Sequence, residues 1–324
     1  MAYATGTSAN YTALFDDLIE FLTENEDLVT AGEEWEEVWS ASATEVVLKG
    51  KGTSGSEEIF LGFRLVASIP NDSFSIHLFG MSGVIDSASN IEGHINVSPF
   101  PVKMFVDSSS MAYWFTASGR RFTAVVKIST VFETLSGGFF LPYANPISYS
   151  YPLYIGGSAG HGRSNDPTNW RSTSDGHSHF PYSFNNSGTG NLSPSFRMLT
   201  PTGEWVDGAA NEASTTNNAV IGIGPSNFFD GLGAVRSSSG SQYSYNGLRL
   251  RQRSCFGGDF TLTPFTLVRQ TPADQTYGIL DGAFQVPGFG NSSENIITIN
   301  SVDHLVVQNA FRTGIGEYWA LALE

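Results

Sequence analysis

The sequence predicts a mainly β fold: a β-sandwich or jelly-roll-like body with an N-terminal helix and a long loop-rich insertion. Three observations predict it. The chain of 324 residues holds 24 Phe, 12 Tyr, 6 Trp and 35 Gly with only 15% charged residues, a balance that suits strands joined by turns. From Glu45 onward, short β-rich runs alternate with Gly, Ser, Asn, Asp or Pro. Only one stretch, near the start, repeats its apolar residues at helical spacing. A single unit of this length buries roughly 75% of its unfolded surface, enough for a core without disulfides or metals.

Residues 1–44 read as that helix and a connecting segment. In "YTALFDDLIEFLTEN", Leu14, Leu18 and Leu22 form a stripe with Phe15, Ile19 and Phe21 beside it, Asn10 is placed to cap, and Asp16, Asp17 and Glu20 suit the outer face. The stripe must pack on the chain's own β core or on a neighbouring subunit. The second is favoured, because acidic flanks and the Gly-containing exit "VTAGEE" let the helix reach away from the body.

Residues 45–155 read as the sandwich body, with strands at "EVVLKGKG", "EEIFLGFRLVAS", "DSFSIHLFGMSGV", "FPVKMFVD", "MAYWFTAS" and "RRFTAVVKIST". In "DSFSIHLFG", Phe74, Ile76 and Leu78 face one way and Ser75, His77 and Phe79 the other. "FTASGRRF" reads as a hairpin with Ser118 and Gly119 near its turn. Residues 156–285 read as the insertion, since Gly, Ser and Asn dominate much of it, although Trp170, Phe180, Tyr182, Phe184 and Phe196 argue that it folds. Residues 286–324 regain strand texture at "IITINSV", "HLVVQNAF" and "YWALALE", and are expected to return to the body.

Chemistry-bearing motifs are few. In "DGHSHF", Asp175, His177 and His179 alternate, so an extended segment would aim all three to one side as weak candidates for a metal site. A catalytic zinc needs a third firm ligand, and no HExxH or CxxC pattern accompanies the pair. Hydrogen-bonded histidines are therefore the expectation, with no metal and no cofactor. "GGSAG" matches G-x-S-x-G at Ser158, but "HGRSNDPTNW" after it cannot begin the helix that a nucleophile elbow requires. A Gly-Ser turn leaving the body is expected there instead. Pairs such as Glu36-Glu37 and Glu57-Glu58 read as solvated faces, and no phosphate-loop or dinucleotide fingerprint is present.

The formal net charge of −15 argues against a nucleic-acid ligand. Arg249, Arg251 and Arg253 in "LRLRQR" alternate like a strand but lack basic companions, and read as a solvated or protein-binding face. Cys255 is alone, so no internal disulfide forms and assembly in a reducing cytosol is expected. The opening "MAYATGTSANYT" lacks a signal peptide's basic and apolar regions, and no apolar run approaches a membrane span.

The C-terminal stretch from "CFGGDFTLTPFTLVRQ" to "GEYWALALE" resembles a family of virion structural proteins of tailed bacteriophages and prophages, as do "LIEFLTENEDLVTAGEEWEEVW", "FLGFRLVAS", "RRFTAVVKISTVFETLSGGFFLPYANPISYSYPLYIGGSAG" and "NWRSTSDGHSHF". The resemblance implies a non-enzymatic particle component of a contractile-tailed phage, assembled in the host cytoplasm. It implies a neck or collar spike at the head–tail junction, with other virion proteins and further copies of itself as partners. In that role Leu14, Leu18 and Leu22 with the C-terminal Tyr318 and Trp319 are candidate subunit contacts. The alternative is a baseplate or tail decoration that binds host-surface glycan through residues 156–250, with Trp170, Tyr182 and Trp205 stacking on sugars.

Overall fold

The computed structural model describes residues 1–52, 54–145, 147–160, 196–208, 220–223, 262–269, 275–286, 290–308 and 318–324. Two sheets and one substantial helix build it. The smaller sheet runs in sequence order through β2 (Glu36–Ser42), β3 (Glu45–Gly50), β4 (Ile59–Ser68), β5 (Ser73–Met81) and β6 (Val102–Val106), all antiparallel. The larger sheet starts with β1 (Ala2–Ser8), β7 (Met111–Ala117), β8 (Arg121–Ile128), β9 (Val131–Phe139) and β11 (Leu153–Gly157). It continues through β12 (Phe196–Leu199), β13 (Trp205–Gly208), β14 (Val220–Ile223), β15 (Thr263–Arg269) and β16 (Gln275–Gln285). It ends with β19 (Tyr318–Leu323), β18 (Val302–Gln308) and β17 (Ile296–Ile299), while β10 (Leu141–Pro142) pairs with β16.

The fold is mainly β with a sandwich-like body, as the composition predicts. Its centre is β8, in which the period-two alternation is buried on both sides. Phe122, Ala124 and Val126 join the core shared with the smaller sheet, where the Phe63 ring of β4 lies 5.3 Å from that of Phe122. Val125 joins a second core with Phe132, Leu305, Trp319 and Leu321. The distal strands of the larger sheet thus return over the back of its own first half. Two polar ties mark the contact: Arg121 reaches Asp281 on β16, and Lys127 pairs with Glu294 just before β17.

Helix α1 (Tyr11–Glu24) begins where expected, with the Asn10 side chain accepting from the backbone of Thr12 and Ala13. Its stripe closes one end of the sandwich. Tyr11 stacks on Phe74 of β5 at 4.1 Å and Phe21 meets Phe115 of β7 at 5.7 Å. This corrects the subunit-contact expectation: Leu14, Leu18 and Leu22 are 0% exposed within their own chain, and so is Trp319. A side chain with no exposed surface has none to offer a neighbour. Tyr318 is partly buried beside Val286 and Val306.

The segment boundaries also move. β1 pairs with β7 along all seven residues, so the first residues are sheet rather than connection, and Trp35 in the same region donates its indole N–H to Ser118 O at 2.9 Å. That bond pins the turn of the β7–β8 hairpin, which lies where "FTASGRRF" places it. A boundary at 155/156 cuts through β11, and β12 to β16 form the middle of the larger sheet, not an appendage. The C-terminal strands return to the body by packing and through β16, one edge of which pairs with β15 while the other takes β10 at Gly278 and Ile279 and β19 at Ala283–Gln285.

Candidate functional site

Trp170, Asp175, His177, His179 and Tyr182 lie outside the described residues. Among the described residues no group of three or more His, Cys, Asp or Glu is placed to hold a metal ion. Trp205, the remaining member of the sugar-stacking set, is partly buried. Its indole N–H is donated to Asn96 O at 2.9 Å, and its ring lies so close to Gly80 that a Cβ there would sit 2.5 Å away. Both features give Trp205 a packing role.

Ser158 is fully buried just beyond β11. Its Oγ accepts from Thr134 N at 2.7 Å, and its own N–H donates to Thr134 O at 3.0 Å. The neighbouring Gly157 packs on the Lys103 backbone, where a Cβ would come within 2.6 Å of the carbonyl oxygen, and Lys103 and Ala159 exchange backbone hydrogen bonds. The expected flexible turn is therefore a bonded strand extension. Ser158 has no exposed surface from which to attack a substrate.

Among the described residues a buried polar seam joins β8, β9, β11 and β16. Arg121, 1% exposed, donates from Nε to Asp281 at 3.1 Å and from Nη2 to the Met1 sulfur at 3.3 Å, while Nη1 has no partner among the described residues. Ser136 Oγ donates to Phe122 O at 2.8 Å, so the hydroxyls of Thr123 and Tyr154, at 2.9 and 3.0 Å, both donate to it. Burial pushes the Tyr154 hydroxyl up to about 12, against an opposing bond from Ser136. It stays protonated at neutral pH, and the seam orients strands instead of moving protons. Sequence reasoning missed this group. Its signal is the polar pair Arg121 and Thr123 on one parity of "RRFTAVVKI", informative only once both faces of β8 are known to be buried.

Two further ionisable groups hold the loop after β5. The Arg64 guanidinium clasps Glu92 through 2.7 and 2.5 Å bonds and Glu45 at 2.8 Å. Arg64 is raised above its ordinary value chiefly by Glu92, and in return holds Glu92 below the usual carboxylate range. His94 is buried, accepts from Ile85 N at 3.0 Å through Nδ1, and meets Trp39 edge-on at 4.7 Å. Burial lowers its pKa, with Glu45 opposing. The accepted bond fixes the proton on Nε2 in the neutral ring.

A cleft of about 680 Å³ opens between α1 and the β2–β3 hairpin. Asp16, Glu20, Glu24 and Glu37 line it with Ile19, and no basic residue does. In comparison with known proteins, the chain matches no protein-family model and is significantly similar to no curated protein.

Proposed function

We propose that this chain is a non-enzymatic structural subunit of a tailed-phage virion, set at the neck or collar among other virion proteins and further copies of itself. The observation that carries this reading is a cross-tied β body that leaves large apolar side chains exposed in a loop and on a terminal strand. Tyr143 and Ile147, 63% and 91% exposed, share one loop, and Ile296, 50% exposed, lies on the terminal strand β17. Exposed apolar clusters and unpaired strand edges are surfaces that assembly covers. The lone Cys255 and the resemblance to phage virion proteins support the same reading, with assembly in the host cytoplasm.

A reconstruction of intact particles from an infected host tests it. Density at the head–tail junction that accepts this fold supports the neck position, and the same density at the baseplate moves the subunit to the tail. Purified particles that lack the chain altogether refute a virion role.

A further inference from the structure

We propose that the open edge of β2, together with the acidic cleft beside it, is a docking site for a basic, extended segment of another protein, taken up by strand addition. β2 ends the smaller sheet, and no described strand pairs with its other edge. Glu36, Glu37, Ser40, Ala41 and Ser42 are exposed along it. A strand edge offers a row of backbone donors and acceptors, and an incoming strand sends alternate side chains to each face. On the inner face of β2 those side chains meet the cleft, where Glu37 and Ser40 form one wall and Asp16, Glu20 and Glu24 of α1 the other.

The three α1 carboxylates follow at intervals of four residues, so they stand in a row along the helix. Lys or Arg at every second position of the guest would face this row, and Ile19 with the edges of Phe15 and Val46 receives apolar side chains between them. The occupant follows from charge. A second copy of this chain, at −15, is repelled from an acidic edge, whereas a basic strand is drawn in. The register shifts in the β2–β3 pairing, between Glu37 and Trp39 and between Ser40 and Ser42, make β2 an irregular strand, which hinders indiscriminate pairing and leaves selection to a guest of opposite charge. The inference stands apart from the particle position proposed above.

The test uses the full chain and a dye-labelled synthetic peptide, TRVRVRT, titrated by fluorescence anisotropy at low salt, with TEVEVET as the control. The expected result is saturable binding of the basic peptide alone, weakened about tenfold or more in the Glu20→Lys, Glu37→Lys double variant, whose melting temperature checks that it folds. Two further probes carry N-methyl groups on either the arginine or the valine amides. Strand addition uses one parity of N–H, so one methylated probe should bind and the other should not. Binding of the acidic control, an unchanged affinity in the double variant, or equal behaviour of the two methylated probes overturns the proposal. So does self-association of the chain that the basic peptide displaces, which would make a second copy the occupant.

Discussion

Arg121 on β8 and Asp281 on β16, 160 positions apart in sequence, form a 3.1 Å ion pair that ties the first half of the larger sheet to its returning half. The pair sits against Gly282, whose φ of +70° and whose approach to Arg121, 2.2 Å from a would-be Cβ to Nη2, leave room for no side chain. Backbone conformation and charge therefore meet at one point of the fold.

Removing the carboxylate should leave the buried guanidinium without its counter-charge. Asp281→Ala is expected to cost about 3 kcal/mol, the low end for breaking a buried pair, because Asp281 keeps part of its side chain in water. Urea unfolding of the isolated chain measures it. Adding Arg121→Met should recover at least half of the loss, since an apolar side chain needs no partner there.

Leu18→Ala should destabilise the isolated chain by ~2–5 kcal/mol, because Leu18 is 0% exposed in its own core. A lowered thermal melt of the free subunit is the expected outcome. An unchanged melt with reduced incorporation into particles would return the helix stripe to an intersubunit role.

Ser158 should be inert to a fluorophosphonate probe under native conditions, with no adduct in the intact-mass spectrum. Ser158→Ala removes the acceptor of the buried Thr134 N–H and is expected to cost ~1–3 kcal/mol of stability. A native adduct at Ser158 would reopen the hydrolase interpretation.

His94 supplies a pH dependence. Its folded pKa lies below its unfolded value of 6.5, so the unfolded chain binds the proton more readily. The stabilisation is complete above pH 6.5 and declines as pH falls from there towards the folded pKa. His94→Asn, which keeps an acceptor for Ile85 N, should flatten stability between pH 7 and the onset of carboxylate protonation; a slope equal to that of the parent chain counts against this assignment.

Local signals were legible wherever one residue's neighbours in sequence carry the physics. Asn10 caps α1 through a bond two and three residues away, the alternation of β5 places Phe74, Ile76 and Leu78 in one core and Phe79 in another, and the β7–β8 hairpin turns at Ser118 and Gly119. β1 escaped because "AYATGTS" carries little apolar bulk. Its pairing draws on Met111–Ala117, and a Cβ at Gly6 would lie 2.5 Å from the Tyr113 hydroxyl, so a larger residue there would have to displace that ring.

The β class, the Asn10-capped helix α1 and most strands of the body follow from the sequence alone, because helical and period-two burial are written in spacings of a few residues, whereas the six-residue helix Glu26–Ala31 is too short to show a period. Tertiary structure alone decided which surface each element faces. The stripe of α1 could serve a neighbour or its own core, and only the position of Phe74 and Phe115 sends it inward. The segment after residue 155 reads as an insertion, yet β12 to β16 carry the larger sheet onward to β19. Arg121 resembles any hairpin charge until a strand 160 residues later covers it, since desolvation depends on what lies opposite in space and not on what lies adjacent in the chain.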